Sequence, residues 1–191
     1  MEKVLIGSGG HAREVMAHLG FTLRCFVEDE FCDSGDYPLS EFNPEKFKVM
    51  VAIADCKIRK RIVHGLPQNT KFFSYIHPNV EIMDNNFIIK AGSFFGSGCI
   101  LTTNIEIGSH AILNRGIHIG HDCKISDFFS AMPGSILSGN VTVDECVYVG
   151  TNASVREKLK IYKNVTIGMG CSVYQDIRKE GIFINWIGLL K

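Results

Sequence analysis

His121 and Asp122 follow Ile119-Gly120 directly, and Gly139 lies 18 residues beyond His121. An imidazole beside a carboxylate is a base whose charged form is stabilised, and a glycine N–H is an unobstructed donor to a developing oxyanion. If positions 18 apart stack, the two groups share a cleft, and their chemistry fits acyl transfer. One would take a proton from the nucleophile and the other would hold the tetrahedral oxygen. Asn114, one repeat and one residue earlier, is a further polar candidate. Cys123 invites a covalent route, but it falls on a small inward position like Cys99 and Cys171 and reads as core. His118 reads as interface packing, and His64 and His77 have no visible task. No His, Cys or carboxylate set has ligand spacing, so no metal is expected.

A second constellation opens the chain. Gly7-Ser8-Gly9-Gly10-His11-Ala12 fits G-x-G-x-x-A with Gly7, Gly9 and Ala12 in the three roles. Such a turn lets free helix N-terminal N–H groups approach a phosphate. Glu28 ends the next strand 21 residues after Gly7, where an acid can hold a ribose hydroxyl, and Asp29 stands beside it. A dehydrogenase would need about six strands, whereas four are expected here. Half a site points to a mononucleotide or a nucleotide-sugar, and the bland alternative is a compact turn with solvated acids.

The elements that must position these groups show two periods. Every sixth residue from Ile89 to Val173 is apolar, fifteen in succession, and the residues two places earlier are all small or apolar. In-out-in over three residues is a short strand, and the next three, often Gly, Asn, Asp or Ser, are a turn. Three units make a triangular coil of 18 residues, which predicts a parallel β-helix of nearly five coils over 87–173. Outward residues sort into three faces. Phe94, Ile112, Ser130, Tyr148 and Thr166 form the first, Ile100, His118, Ile136, Ser154 and Ser172 the second, and Glu106, Lys124, Thr142 and Lys160 the third. The first two expose apolar side chains, which predicts that other copies of the chain cover both, most simply in a homotrimer.

Before the coil, strands at Lys3–Ile6, Leu23–Val27, Lys48–Ala54 and Lys71–Ile76 alternate with helices at His11–Leu19 and Ile58–Gly65. This predicts an α/β, Rossmann-like half domain over 1–77, followed by an all-β unit over 78–191, with the border at Pro78-Asn79. Twenty basic residues balance twenty acidic ones, so neither nucleic acid nor an anionic membrane is an expected partner. No apolar run is long enough for a membrane span, the start does not read as a signal peptide, and seven cysteines without a C-x-x-C pair point to a reducing cytoplasm.

The glycine turn with His11, Ser74-Tyr75-Ile76-His77-Pro78 before the coil, Asn114, and His121-Asp122-Cys123-Lys124-Ile125 together resemble the hexapeptide-repeat acyltransferases that acetylate amino groups on nucleotide-linked sugars. Sialic acid O-acetyltransferases are similar over the same span. The resemblance implies a left-handed β-helix, a homotrimer, and acetyl-CoA as co-substrate in the groove between coils against Gly139, Gly150 and Gly168. It implies direct N-acetylation of a 4-amino-4,6-dideoxy sugar, with His121 as base, Asp122 as partner acid, Gly139 as oxyanion amide and Asn114 in the catalytic set. Gly7, Ser8, Gly9, Gly10 and His11 would lie near the sugar diphosphate and Glu28 and Asp29 near the nucleoside. The chain departs from many relatives at Ser130, where they carry a second histidine, and at its end, Asn185 to Lys191. An O-acetyltransferase of a free acidic sugar and a non-catalytic binding protein of the same fold are the alternatives.

Overall fold

The computed structural model describes residues 1–84 and 87–184; the departure at Asn185 to Lys191 lies outside them. The first strand, β1 (Glu2–Ile6), is followed by α1 (Gly10–Leu19), β2 (Cys25–Val27), β3 (Tyr37–Pro38), β4 (Phe47–Val51), α2 (Cys56–Gly65) and β5 (Lys71–Phe72). The five strands form one wholly parallel sheet in the order β3-β2-β1-β4-β5. Its direction of winding reverses between β1 and β4, and Gly7 ends β1 there. Helix α1 turns Ala12 and Val15 inward and stops at Gly20, whose φ of 77° lets its N–H reach Met16 O.

Three sequence expectations need correction. The sheet has five strands rather than four, because the short Tyr37–Pro38 segment pairs with β2. Helix α2 starts at Cys56, two residues before Ile58, because the Asp55 carboxylate accepts the N–H groups of Lys57 and Ile58 and caps it. The expected strand Lys71–Ile76 is two strands. The Phe73 N–H still bonds Val49 O, whereas the Tyr75 N–H bonds Ser93 O, so the chain changes sheets between them.

From Tyr75 onward the chain winds as a three-sided prism with parallel sheets of seven, six and five strands. Register is 18 residues through the body of the coil, as in His118↔Ile136 and Lys124↔Thr142. Pairing starts earlier than residue 87, because Tyr75–Ile76 and Glu81–Ile82 already lie on the next coil. There the offset is 19, as in Tyr75↔Phe94. From Ser93 to Cys171 both inward positions of every repeat are at most 7% exposed, so the six-residue period is the core period. The left-handed backbone position also recurs every sixth residue, from Gly92 and Gly98 through Asn104 and His110 to Asn164 and Gly170.

The first face is covered by the chain's own N-terminal unit. This corrects the expectation that another copy covers it. Phe94, Ile112 and Ser130 are buried, and Phe94 and Ile112 pack with Leu5, Ala12, Val15, Met50 and Phe73. Arg59 of α2 is fully buried at this junction. Its guanidinium donates to the carbonyls of Ile53, Ala54, His110, Phe128 and Phe129 and to Ser130 Oγ, at 2.6–3.1 Å. Burial draws it down to about 10, so it stays charged at neutral pH. The second face is left open, with His118 exposed and Ile136 41% exposed.

Candidate active site

The strand His118–Ile119 ends in the turn Gly120-His121-Asp122, with Asp122 in the left-handed region at φ 61°. Asp tolerates that conformation, and its N–H closes the turn on Thr103 O at 3.0 Å. The backbone thereby places the carboxylate beside the imidazole, with His121 Nδ1 2.7 Å from Asp122 Oδ2. Asp122 Oδ1 accepts from Asn104 Nδ2, one coil below, at 2.7 Å. Hydrogen bonds from Asn104 first and His121 second hold the Asp122 carboxyl below its usual range.

The imidazole lies against Gly139. A Cβ at position 139 would sit 2.5 Å from His121 Nε2 and 2.6 Å from Cε1, so only glycine leaves room for the ring. The neighbouring Asn140 N–H bonds His121 O at 2.7 Å, whereas the Gly139 N–H has no hydrogen-bond partner among the described residues. Thr103 and Glu157 occupy the equivalent turn position, and their N–H groups are unbonded too. The free donor thus comes from the turn geometry, and the glycine makes it accessible beside a base. His121 has 58% of its side chain exposed at this edge, open to a substrate.

The other expected members of this set stand elsewhere in the single chain. Asn114 lies on the edge that follows the first face and is buried. Its Nδ2 donates to Glu14 Oε2 at 3.3 Å and its Oδ1 accepts the Arg115 N–H at 2.8 Å. Gly150 and Gly168 share that edge. An added Cβ would meet Met169 N at 2.6 Å and Ile184 Cγ2 at 2.7 Å respectively, so stacking already demands both glycines. Ser130 is sealed under the N-terminal unit, bonded to Arg59 and Ala54 O. Cys123 is buried core, its thiol pushed up by burial.

At the N-terminus, Gly7 turns with φ 101° and has Ile53 Cγ1 2.9 Å from where a Cβ would be. Gly9 caps α1 without a side chain, Gly10 is its first residue, and Ser8 Oγ donates to Asp36 Oδ2 at 2.8 Å. Gly7, Ser8, Gly9 and Glu28 line a cleft of about 220 Å³ with Ile6, Val27, Phe31, Ile53 and Ile62. Glu28 forms a bidentate pair with Arg61 at 2.6 and 2.8 Å, which holds its carboxyl low. Asp29 is engaged locally by the Ser40 N–H at 3.1 Å. His11 turns inward, edge-on to Phe94 at 5.2 Å, with a buried, unbonded Nε2 and a pKa lowered chiefly by burial. Asn104 and Arg61 were not singled out from the sequence. The 18-residue period points to Asn104 below Asp122, whereas nothing in the basic run 57–61 marks Arg61.

No three His, Cys, Asp or Glu side chains among the described residues are grouped to hold a metal. No described helix is long and apolar enough to cross a membrane.

The three stacked parallel sheets match the left-handed β-helix of the hexapeptide-repeat acyltransferases, and the chain has homologues among the nucleotide-sugar members of that group. It is 30% identical over 112 residues to GDP-perosamine N-acetyltransferase of Escherichia coli O157:H7, covering 56% of this chain and 48% of that one. The chain therefore spans about half the length of that curated relative. A crystal structure of a histidine-to-asparagine variant of perosamine N-acetyltransferase from Caulobacter crescentus, in complex with CoA and GDP-perosamine, superposes with a TM-score of 0.83 at 24% identity, over 97% of this chain and 94% of that one. WeeI from Acinetobacter baumannii AYE superposes with a TM-score of 0.85 at 24% identity, over 97% of both chains. No protein-family model matches the sequence.

Proposed function

We propose that the chain is an acetyl-CoA-dependent N-acetyltransferase of a nucleotide-linked amino sugar, with His121 as general base. The observation that carries this reading is the seating of the His121 ring on Gly139, with Nδ1 bound to Asp122 and Nε2 turned to the edge that carries the free Gly139 N–H. The sugar amine attacks the thioester carbonyl, His121 Nε2 takes the amine proton, and the Gly139 N–H donates to the oxygen that becomes negative. Collapse breaks the carbon–sulfur bond, and the proton on His121 passes to the departing CoA sulfur. Asp122 orients the imidazole and stabilises its charged form. No covalent enzyme intermediate is required.

Residues 1–77 form a Rossmann-like nucleotide-sugar site in this reading, and 78–191 form the acyltransfer unit. Support comes from the parallel order β3-β2-β1-β4-β5 and from the cleft at its switch point, where such sheets bind ligands. At about 220 Å³ that cleft is smaller than ordinary ligand pockets of about 300–1,000 Å³, which favours one nucleoside over a dinucleotide. Gly9 and Gly10 would meet the diphosphate, with Glu28 and its partner Arg61 near the nucleoside. The edge of His121 and the edge of Asn114, Gly150 and Gly168 meet only if two copies are adjacent. We therefore place acetyl-CoA between subunits of a trimer, in the cytoplasm. The complexes of the Caulobacter protein with CoA and GDP-perosamine support the substrate classes.

The test is release of free CoA thiol from acetyl-CoA over a panel of nucleotide-linked amino sugars. Turnover with one of them and a fall of about 10²- to 10⁴-fold in His121→Ala are expected. Full turnover in that variant would exclude His121 as the base, and acetylation of a free acidic sugar instead would favour the O-acetyltransferase.

A further inference from the structure

The carboxylate that orients His121 is itself held from one coil below. Asp122 is 41% exposed at a turn, where water competes for its oxygens and its side chain would otherwise rotate. Asn104 Nδ2 takes Oδ1 at 2.7 Å, which leaves Oδ2 for His121 Nδ1 at 2.7 Å. Asn104 is fixed in turn, left-handed at φ 54°, with its N–H on Asp84 Oδ2 at 3.0 Å. Three coils thus contribute to one line of bonds that ends at the imidazole. We infer that Asn104 is a positioning residue: its amide pins the Asp122 carboxylate so that His121 carries its proton on Nδ1 and presents a bare Nε2 at Gly139. This rests on the assignment of His121 as the base.

A plain alternative is that Asn104 serves only its turn, because asparagine suits left-handed backbone. Asn140, Asn152 and Asn164 occupy the same position in other repeats. Gly92, Gly98, Gly116, Gly134 and Gly170 do so as well, so glycine is compatible with the turn. Asn104→Gly therefore removes the amide without straining the backbone, and Asn104→Asp keeps the size while replacing the donor by a negative charge. The charged groups facing this line are Asp84 below it and Asp122 and His121 within it. Glu157 and Lys158 lie two coils above His121 on the same edge, separated from it by Gly139 and Asn140.

The experiment follows the tautomer of His121 by imidazole ¹⁵N and ¹H NMR in the full chain, with steady-state kinetics alongside. Asn104→Gly is expected to shift the neutral ring from the Nδ1–H form toward the Nε2–H form and lower kcat about tenfold with both KM values unchanged. Its melting temperature is expected to stay within about 3 °C of the parent. Asn104→Asp is expected to shift the tautomer in the same direction, because a carboxylate cannot donate to Asp122 Oδ1 and repels it. An unchanged tautomer in Asn104→Gly would overturn the inference, and so would a loss confined to melting temperature or KM. A tautomer shift in a chain that transfers no acetyl group to any sugar amine would uphold the inference while rejecting the proposed activity.

Discussion

At the scale of the residue, the site depends on a missing side chain. His121 can occupy the space over position 139 only because that position has no Cβ. Gly139→Ala keeps the N–H donor but drives the ring away from it. The expected outcome is a loss of at least about tenfold in kcat with little change in folding, checked by thiol release and a melting curve. Asp122 sharpens the pH dependence of the same reaction. Its carboxyl is held below the ordinary range by Asn104 and His121, so it stays ionised where an ordinary carboxyl would protonate and adds no second step to the acid limb of the rate. Asp122→Asn is expected to lower kcat while keeping the single acid limb, read from kcat against pH. His121, Asp122 and Gly139 were legible in the sequence because the coil period is a whole number, 18, so residues that stack can be counted. Asn104 stands at the same count below Asp122 but carries no mark of its own, because asparagine is what an ordinary turn would also choose.

At the scale of the element, the contact between α2 and the coil shows where periodicity stops being informative. Left-handed positions are mostly Gly, Asn or Asp, yet one column reads His110, Phe128 and Cys146. Such side chains are uncommon in that region, and these three line the dock for α2. The His110 and Phe128 rings stack at 5.1 Å, Phe128 meets His64 at 5.7 Å, and Cys56 Sγ donates to Cys146 O at 3.2 Å. Nothing in the sequence marks Arg59 of α2 as buried, because a guanidinium satisfied by carbonyls leaves no carboxylate partner to find. Removing Arg59 would leave the carbonyls of Ile53, His110 and Phe128 without their donor and strip a second donor from Ala54 O and Phe129 O, which keep only Ser130 Oγ and the Ile112 N–H. Arg59→Met is expected to cost about 3 kcal/mol or more in denaturant unfolding, and Arg59→Lys to restore little, since one ammonium cannot reach six acceptors. His110 makes the dock acid-sensitive. Burial pushes it down to about 4 from an ordinary value near 6.5, so the unfolded chain binds a proton that the folded one refuses. Stability is therefore complete above about pH 6.5 and is lost as pH falls toward 4, by about 3 kcal/mol for this group. His110→Phe, which keeps the stack, is expected to flatten that slope in melting curves taken across the same window.

At the scale of the whole molecule, the sequence located two apolar faces without distinguishing what covers each. Outward residues report a face's polarity, while the occupant depends on how a separate unit folds back, which no repeat encodes. The N-terminal unit seals the first face, burying Phe94 and Ile112, and leaves the second open. Ile136 is 41% exposed there, between His118 on one coil and Ser154 on the next, so it can be changed without disturbing the core of a single chain. Ile136→Lys places a charge in the centre of that face. If the second face joins copies in the proposed trimer, the expected result is dissociation to folded monomers, seen by sedimentation velocity together with an unchanged far-ultraviolet spectrum. Acetyl transfer is expected to disappear with the proposed trimer, because His121 and Gly139 stand on one edge of the prism while Asn114, Gly150 and Gly168 stand on another, and the proposed acetyl-CoA site between subunits needs both edges. A monomeric variant with full turnover would show that one edge suffices and that the glycines of the other serve stacking alone.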